Sequence, residues 1–237
     1  MLLLIPFLGL FKYLEALIFQ QVKTQAETIY QQIIITRKWI AHHGGIYVEK
    51  LPWVEENPYL RLVGETVKVF SKEGKILIKQ NPALVTRQLS QLAKENNLYW
   101  FKLTSLKYLN PFNKPDYIET KALKLFENSK IREFTEIERV GEHTYYRLIK
   151  PLITERECLK CHEKQGYQVG QIRGAISIFI PCSLLYQWLF LVLAFFLCRC
   201  NRAFERLFLL SGRCFQCPHQ GISPLCFSFP LSYIPKL

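Results

Sequence analysis

Two cysteines separated by two residues, Cys158 and Cys161, are followed at once by His162. Thiols at this spacing can each add to one vinyl group of a porphyrin, and the two thioethers then hold the ring against a short stretch of chain. His162 is thereby carried beneath the metal, where a neutral imidazole nitrogen is a good axial ligand. The pattern is that of c-type haem attachment: Cys158 and Cys161 as covalent haem-binding residues and His162 as axial iron ligand to one haem c. A redox pair of the thioredoxin kind has no need of the histidine. A structural zinc site needs four ligands, and no cysteine precedes Cys158 to supply a second pair.

The opposite face of such an iron is open to several readings. Met1 is the single methionine, in the first apolar stretch, so methionine ligation is set aside. Outside the motif the histidines are His42, His43, His143 and His219. His43 is the candidate second axial ligand, because Gly44 and Gly45 would let backbone come close to a bulky ring. An open position would suit a sensor of small gaseous ligands, whereas two protein ligands would suit a redox sensor. Asp116 and Glu119 are close in sequence but read as a helix cap. With no nucleophile–base pair, the chain is not expected to be an enzyme.

The elements that must position this motif follow from patterning. Between Gln20 and His43 there is no proline or glycine, and Val22, Ala26, Ile29, Ile33, Arg37 and Ile40 recur at helical steps, giving one mostly apolar stripe. The expected helix ends at Gly44-Gly45. A strand over 46–48 follows, then an irregular stretch, then a hairpin over 66–80 that turns at Ser71 to Gly74. Asn81-Pro82 opens a second helix as N-cap and first residue. Further strands are expected over 99–103, 134–140, 144–149 and 173–180, with a short helix over 119–127. This order predicts an α+β domain built on one PAS-like antiparallel sheet with flanking helices and a long N-terminal helix.

The 237 residues suffice for one domain plus membrane segments or a tail, and 49% hydrophobic content is adequate for a packed core. The net charge of +12 is spread without a basic run or a binding motif, which argues against nucleic acid and for a solvated basic surface. Residues 1–19 read as an N-terminal membrane anchor or signal-like segment. The uncharged run 182–198 reads as a transmembrane helix, and Arg199, Arg202, Arg206 and Arg213 behind it place the tail in the cytoplasm. Residues 20–181 would then be extracytoplasmic at a bacterial inner membrane, the compartment in which c-type haem is attached. The remaining 199–237 has little periodicity and reads as a truncated or frame-shifted tail. Its Cys214 and Cys217 are followed by Pro218, so they make no second haem motif, and a zinc cluster with Cys198 and Cys200 lacks support from the surrounding pattern.

Several separated motifs carry a family resemblance: Trp39 to Val48 (WIAHHGGIYV), Asn57 to Leu60 (NPYL), Asn81 to Gln88 (NPALVTRQ), Thr104 to Lys107 (TSLK) and Asn110 to Asp116 (NPFNKPD). After them come Cys158 to His162 (CLKCH), Gly166-Tyr167 and Gly170 to Gly174 (GQIRG). Over residues 20–181 the chain resembles the bacterial c-type haem sensors with a PAS-like periplasmic domain. Members of that family often lie between two membrane helices, upstream of histidine kinase, diguanylate cyclase or chemoreceptor modules. The resemblance implies a sensor of redox state or of a small gaseous ligand that signals across the membrane. It also implies dependence on cytochrome c maturation machinery, and a homodimer through the N-terminal helix is a further expected partner. Ile40 stands where a polar residue is expected, Ala175 replaces a second glycine, and no output module follows the second span. The alternative reading is a membrane-anchored monohaem cytochrome that transfers electrons.

Overall fold

Nothing between Leu10 and His42 stops a helix, since the last proline is Pro6 and the last glycine Gly9. In the computed structural model, which describes residues 4–141 and 143–182, this run is one continuous helix, α1 (Leu4–His42). The stripe read from the sequence is its buried face: Val22, Ala26, Ile33, Arg37 and Ile40 are buried, and Ile29 packs beside them. Residues 4–19 are the first turns of the same helix, without a break at residue 20, and Leu10, Tyr13, Leu17 and Phe19 are exposed on it. Among the described residues no helix is long and apolar enough to cross a membrane. The expected span 182–198 and tail 199–237 lie outside the described residues, apart from Cys182, which is buried just after the last strand.

After α1 come β1 (Ile46–Glu49), the short α2 (Tyr59–Leu62), β2 (Lys68–Phe70), β3 (Ile76–Gln80) and α3 (Pro82–Glu95). The chain continues through β4 (Trp100–Thr104), α4 (Tyr117–Asn128), β5 (Phe134–Val140), β6 (His143–Ile153), α5 (Arg156–His162) and β7 (Ile172–Pro181). The strands form two antiparallel sheets, ordered β1-β3-β2 and β4-β7-β6-β5, which corrects the expectation of one sheet. The reason is local. Gly44 and Gly45, at φ +70° and +104°, turn the chain straight from α1 into β1, and β1 pairs with β3 so that Ile46 faces Gln80. Asn81-Pro82 then starts α3 at once, the Asn81 side chain accepting from the Leu84 N–H at 3.1 Å, so β3 cannot run on into the larger sheet.

The larger sheet is sandwiched between helices. Its period of two sends Tyr146, Leu148, Leu152, Ile176, Ile178 and Ile180 to the α1 side, while Ile149 and Ala175 face Ala122, Leu123 and Phe126 of α4. Each buried aliphatic side chain here stabilises the fold by about 1.5–3 kcal/mol. Asp116 and Glu119 are the helix cap expected of them. The Glu119 N–H donates to Asp116 Oδ1 at 2.8 Å, and the Asp116 N–H donates to Glu119 Oε2 at 3.0 Å.

Candidate functional site

β6 and β7 are neighbours in the sheet, so residues 154–171 form an insertion at one sheet end. Its base is closed by the Thr154 N–H donating to the Gln171 carbonyl at 2.8 Å and the Gly170 N–H donating to the Thr154 carbonyl at 2.9 Å. Within it, Cys158 to His162 lie on α5. Cys158 is half-buried, its sulfur receiving the Glu155 N–H at 3.4 Å, and Glu155 is paired with Lys38 of α1 at 2.7 Å. The motif is therefore tied to the long helix.

A tight turn at 163–165 brings Gln165 back onto His162, whose Nδ1–H donates to Gln165 Oε1. On the other side of the ring, Arg173 Nη1 donates to His162 Nε2 at 2.7 Å. Both contacts assign the tautomer with the proton on Nδ1 and the lone pair on Nε2. Burial first, and then the positive charges of Arg173 and Arg37, push the His162 pKa down to about 4, so the imidazole is neutral at pH 7. Tyr167 presents its ring edgewise, 6.1 Å from His162. A metal-ligating histidine is oriented by such an anchor on one nitrogen; here the lone pair of the other, Nε2, is engaged by Arg173.

His162 lines a partly open cleft whose enclosed volume is about 130 Å³. Leu60, Leu103 and Leu152 supply apolar wall, and Asn57, Asn81 and Asn110, each preceding a proline, build the rim. These asparagines are held by one another and by turns. Asn57 Nδ2 donates to Asn81 Oδ1 at 3.1 Å, and Asn110 Oδ1 receives the Phe112 N–H at 3.0 Å. At Gly174 the walls touch, and a Cβ there would collide with the Thr104 carbonyl. Among the described residues lining the cleft are three cations, Arg37, Lys107 and Arg173, and no aspartate or glutamate. Arg37 is buried, and its Nη1 donates to Thr86 Oγ1 at 3.1 Å. Burial and then the charge of Arg173 pull its pKa down to about 9.

This donor set could hold an iron porphyrin: two cysteines three residues apart on one helix, a neutral imidazole, an apolar wall and cationic groups for acidic edges. The other histidines are not brought to it. His43 is exposed at the end of α1, its Nδ1 bonded to the Trp39 carbonyl at 2.8 Å and its ring 4.5 Å from that of Trp39. The neighbours that Gly45 admits closely are Lys79 and the Gln80 backbone, which is strand pairing and no ligand ring. His42 and His143 are exposed, and neither lines the cleft. Among the described residues no group of three or more His, Cys, Asp or Glu gathers for a bare metal ion. Arg37, Gln165, Tyr167 and Arg173 are site residues to which motif reading gave no role, although Arg37 stood as a lone charge in the α1 stripe and Tyr167 and Arg173 within the quoted motifs.

The sequence profile of the family described as Tll0287-like (Tll0287) matches residues 15–181. A solved structure titled as that of the cyanobacterial haem protein Tll0287 aligns with 67% of this chain and 93% of its own, at 21% identity and a TM-score of 0.43. That likeness is too loose to bear on the site. No curated protein matches the chain.

Proposed function

The chain belongs to the Tll0287-like family, and from that premise we propose that it binds one haem c through Cys158, Cys161 and His162. The observation that carries the reading is His162, held neutral with Nδ1–H on Gln165 and its Nε2 lone pair in a cleft beside the cysteine helix. Bound haem would supply a reducible iron able to take a small ligand. The chain's own residues orient the imidazole, exclude bulk water along the Leu60–Leu103–Leu152 wall and meet the acidic edge with cations.

Within this reading the domain is a sensor of redox state or of a small gaseous ligand, PAS-like in kind, and not an enzyme. It would act outside the cytoplasm at a bacterial inner membrane, after loading by maturation machinery. Support for sensing comes from α1: it brings Arg37 to the cleft and Lys38 to α5, and its 39 residues extend roughly 58 Å. A shift at the cleft is thus coupled to a rigid lever. Expression of the full chain in a periplasm with haem maturation, followed by denaturing extraction, is the test. Covalent haem should be retained, and lost in the Cys158→Ala, Cys161→Ala double variant. Nitric oxide should shift the spectrum of the reduced protein, and His43→Ala should leave that response unchanged. A six-coordinate spectrum indifferent to small ligands would favour the monohaem electron carrier. Extraction of all haem from the unaltered chain would end the covalent reading.

A further inference from the structure

Among the described residues lining the cleft are cations and no aspartate or glutamate, a charge that covalent attachment does not use. Arg37 enters from the buried stripe of α1 and is only 9% exposed. Its hydrogen-bond partners are neutral oxygens, Thr86 Oγ1 at 3.1 Å and the Pro82 carbonyl at 3.4 Å. Among the described residues no carboxylate pairs with it. Arg173 enters the same cleft from β7, its Nη1 on His162 Nε2. Two guanidinium groups lining one cleft repel one another, and burial of Arg37 is costly without an anion. Thr86 is neutral and offsets no charge; its hydroxyl accepts from Arg37 and donates to the Pro82 carbonyl at 2.7 Å.

Resting on the haem reading above, we propose that Arg37 and Arg173 are a carboxylate clamp, the cleft's subsite for the acidic side chains at the edge of the bound porphyrin. The chemistry is that of guanidinium forks, which offer paired N–H donors to a planar carboxylate. Arg173 is also linked to loading. The lone pair it now holds on His162 Nε2 is the one a metal would take, so ligation releases Nη1 to another acceptor. The clamp lies beside His162, with Arg37 steadied against α3 by Thr86 and Arg173 entering from β7.

The test separates the clamp from the haem reading itself. The full chain carrying Cys158→Ala and Cys161→Ala is prepared without haem and titrated with iron protoporphyrin IX and with its dimethyl ester. The diacid should bind at least about tenfold more tightly, as two charge-assisted contacts imply. That preference should fall towards unity when Arg37→Gln and Arg173→Gln are added, and Arg37→Lys should retain part of it. Equal affinities for diacid and diester on the unmutated arginines would overturn the clamp and leave haem binding intact, whether or not the arginine variants fold. Binding of neither porphyrin would overturn both. Acetate and inorganic phosphate form the last arm: either one binding in an Arg37-dependent way to a chain that ignores porphyrin would mark a free-anion site and overturn the assignment to haem.

Discussion

Arg147 and Arg37 are both buried, Arg147 among carboxylates on the α4 side of the larger sheet and Arg37 beside two further cations at the cleft. Arg147 donates to Glu138 at 2.8 Å and to Ser177 Oγ at 2.9 Å, and lies 3.0 Å from Glu119, with Asp116 completing the ring of acceptors. Lys102 then balances Glu119 at 2.9 Å. That cluster closes on itself and leaves nothing for a ligand to do. The cleft does the reverse, gathering positive charge and a neutral imidazole against apolar wall. A buried charge with internal partners is part of the fold, whereas one without them points to what the fold is built to receive.

Four measurements break or sharpen this contrast. The largest effect belongs to Arg147→Met, which strands the buried Glu119 carboxylate and should cost roughly 3–5 kcal/mol in urea unfolding. Next is Gly174→Ala, where the new methyl meets the Thr104 carbonyl between two paired strands. A loss of about 1–3 kcal/mol is expected, with Ala175→Gly as the milder comparison at the adjacent position.

The third effect is a difference in pH dependence, measured on the chain made without haem. His162 titrates near 6.5 when unfolded and near 4 when folded, so between those values the unfolded chain binds the extra proton. Stability from this group is full above about pH 6.5 and falls as pH drops towards 4; the slope should vanish in His162→Gln. Asp116 acts in the same direction but in a more acidic range. Partial burial works to raise its pKa, but the Glu119 N–H and the Arg147 guanidinium outweigh it and hold the carboxyl low. Its contribution is present above 3.8 and lost only as pH falls further. The cleft should therefore lose stability in a less acidic range than the Arg147 cluster, and coincident acid transitions would contradict the assignment.

The smallest effect is the most informative. Arg37→Met removes a buried charge with no ion pair, and Thr86 keeps its bond to Pro82. Stability of the haem-free chain should change by less than about 1 kcal/mol, in either direction. A loss as large as that of Arg147→Met would show that Arg37 serves the fold, and the contrast would fail.

What the sequence determined alone is what is local. Cys158, Cys161 and His162 carry their chemistry in five consecutive positions. Asn81-Pro82 and Asp116 with Glu119 announce helix starts through bonds spanning three residues, and the α1 stripe follows from helical periodicity. Tertiary structure alone decided the rest. The single expected sheet became two because strand partners are chosen across loops, by register and by where a proline ends a strand. His43, adjacent to two glycines, was left on the surface because those glycines cap α1 and turn it into β1. Arg37 and Arg173 meet at His162 only once α1 lies across the sheet and β7 pairs with β6. No spacing encodes that meeting, since charge convergence depends on distances between elements far apart in the chain.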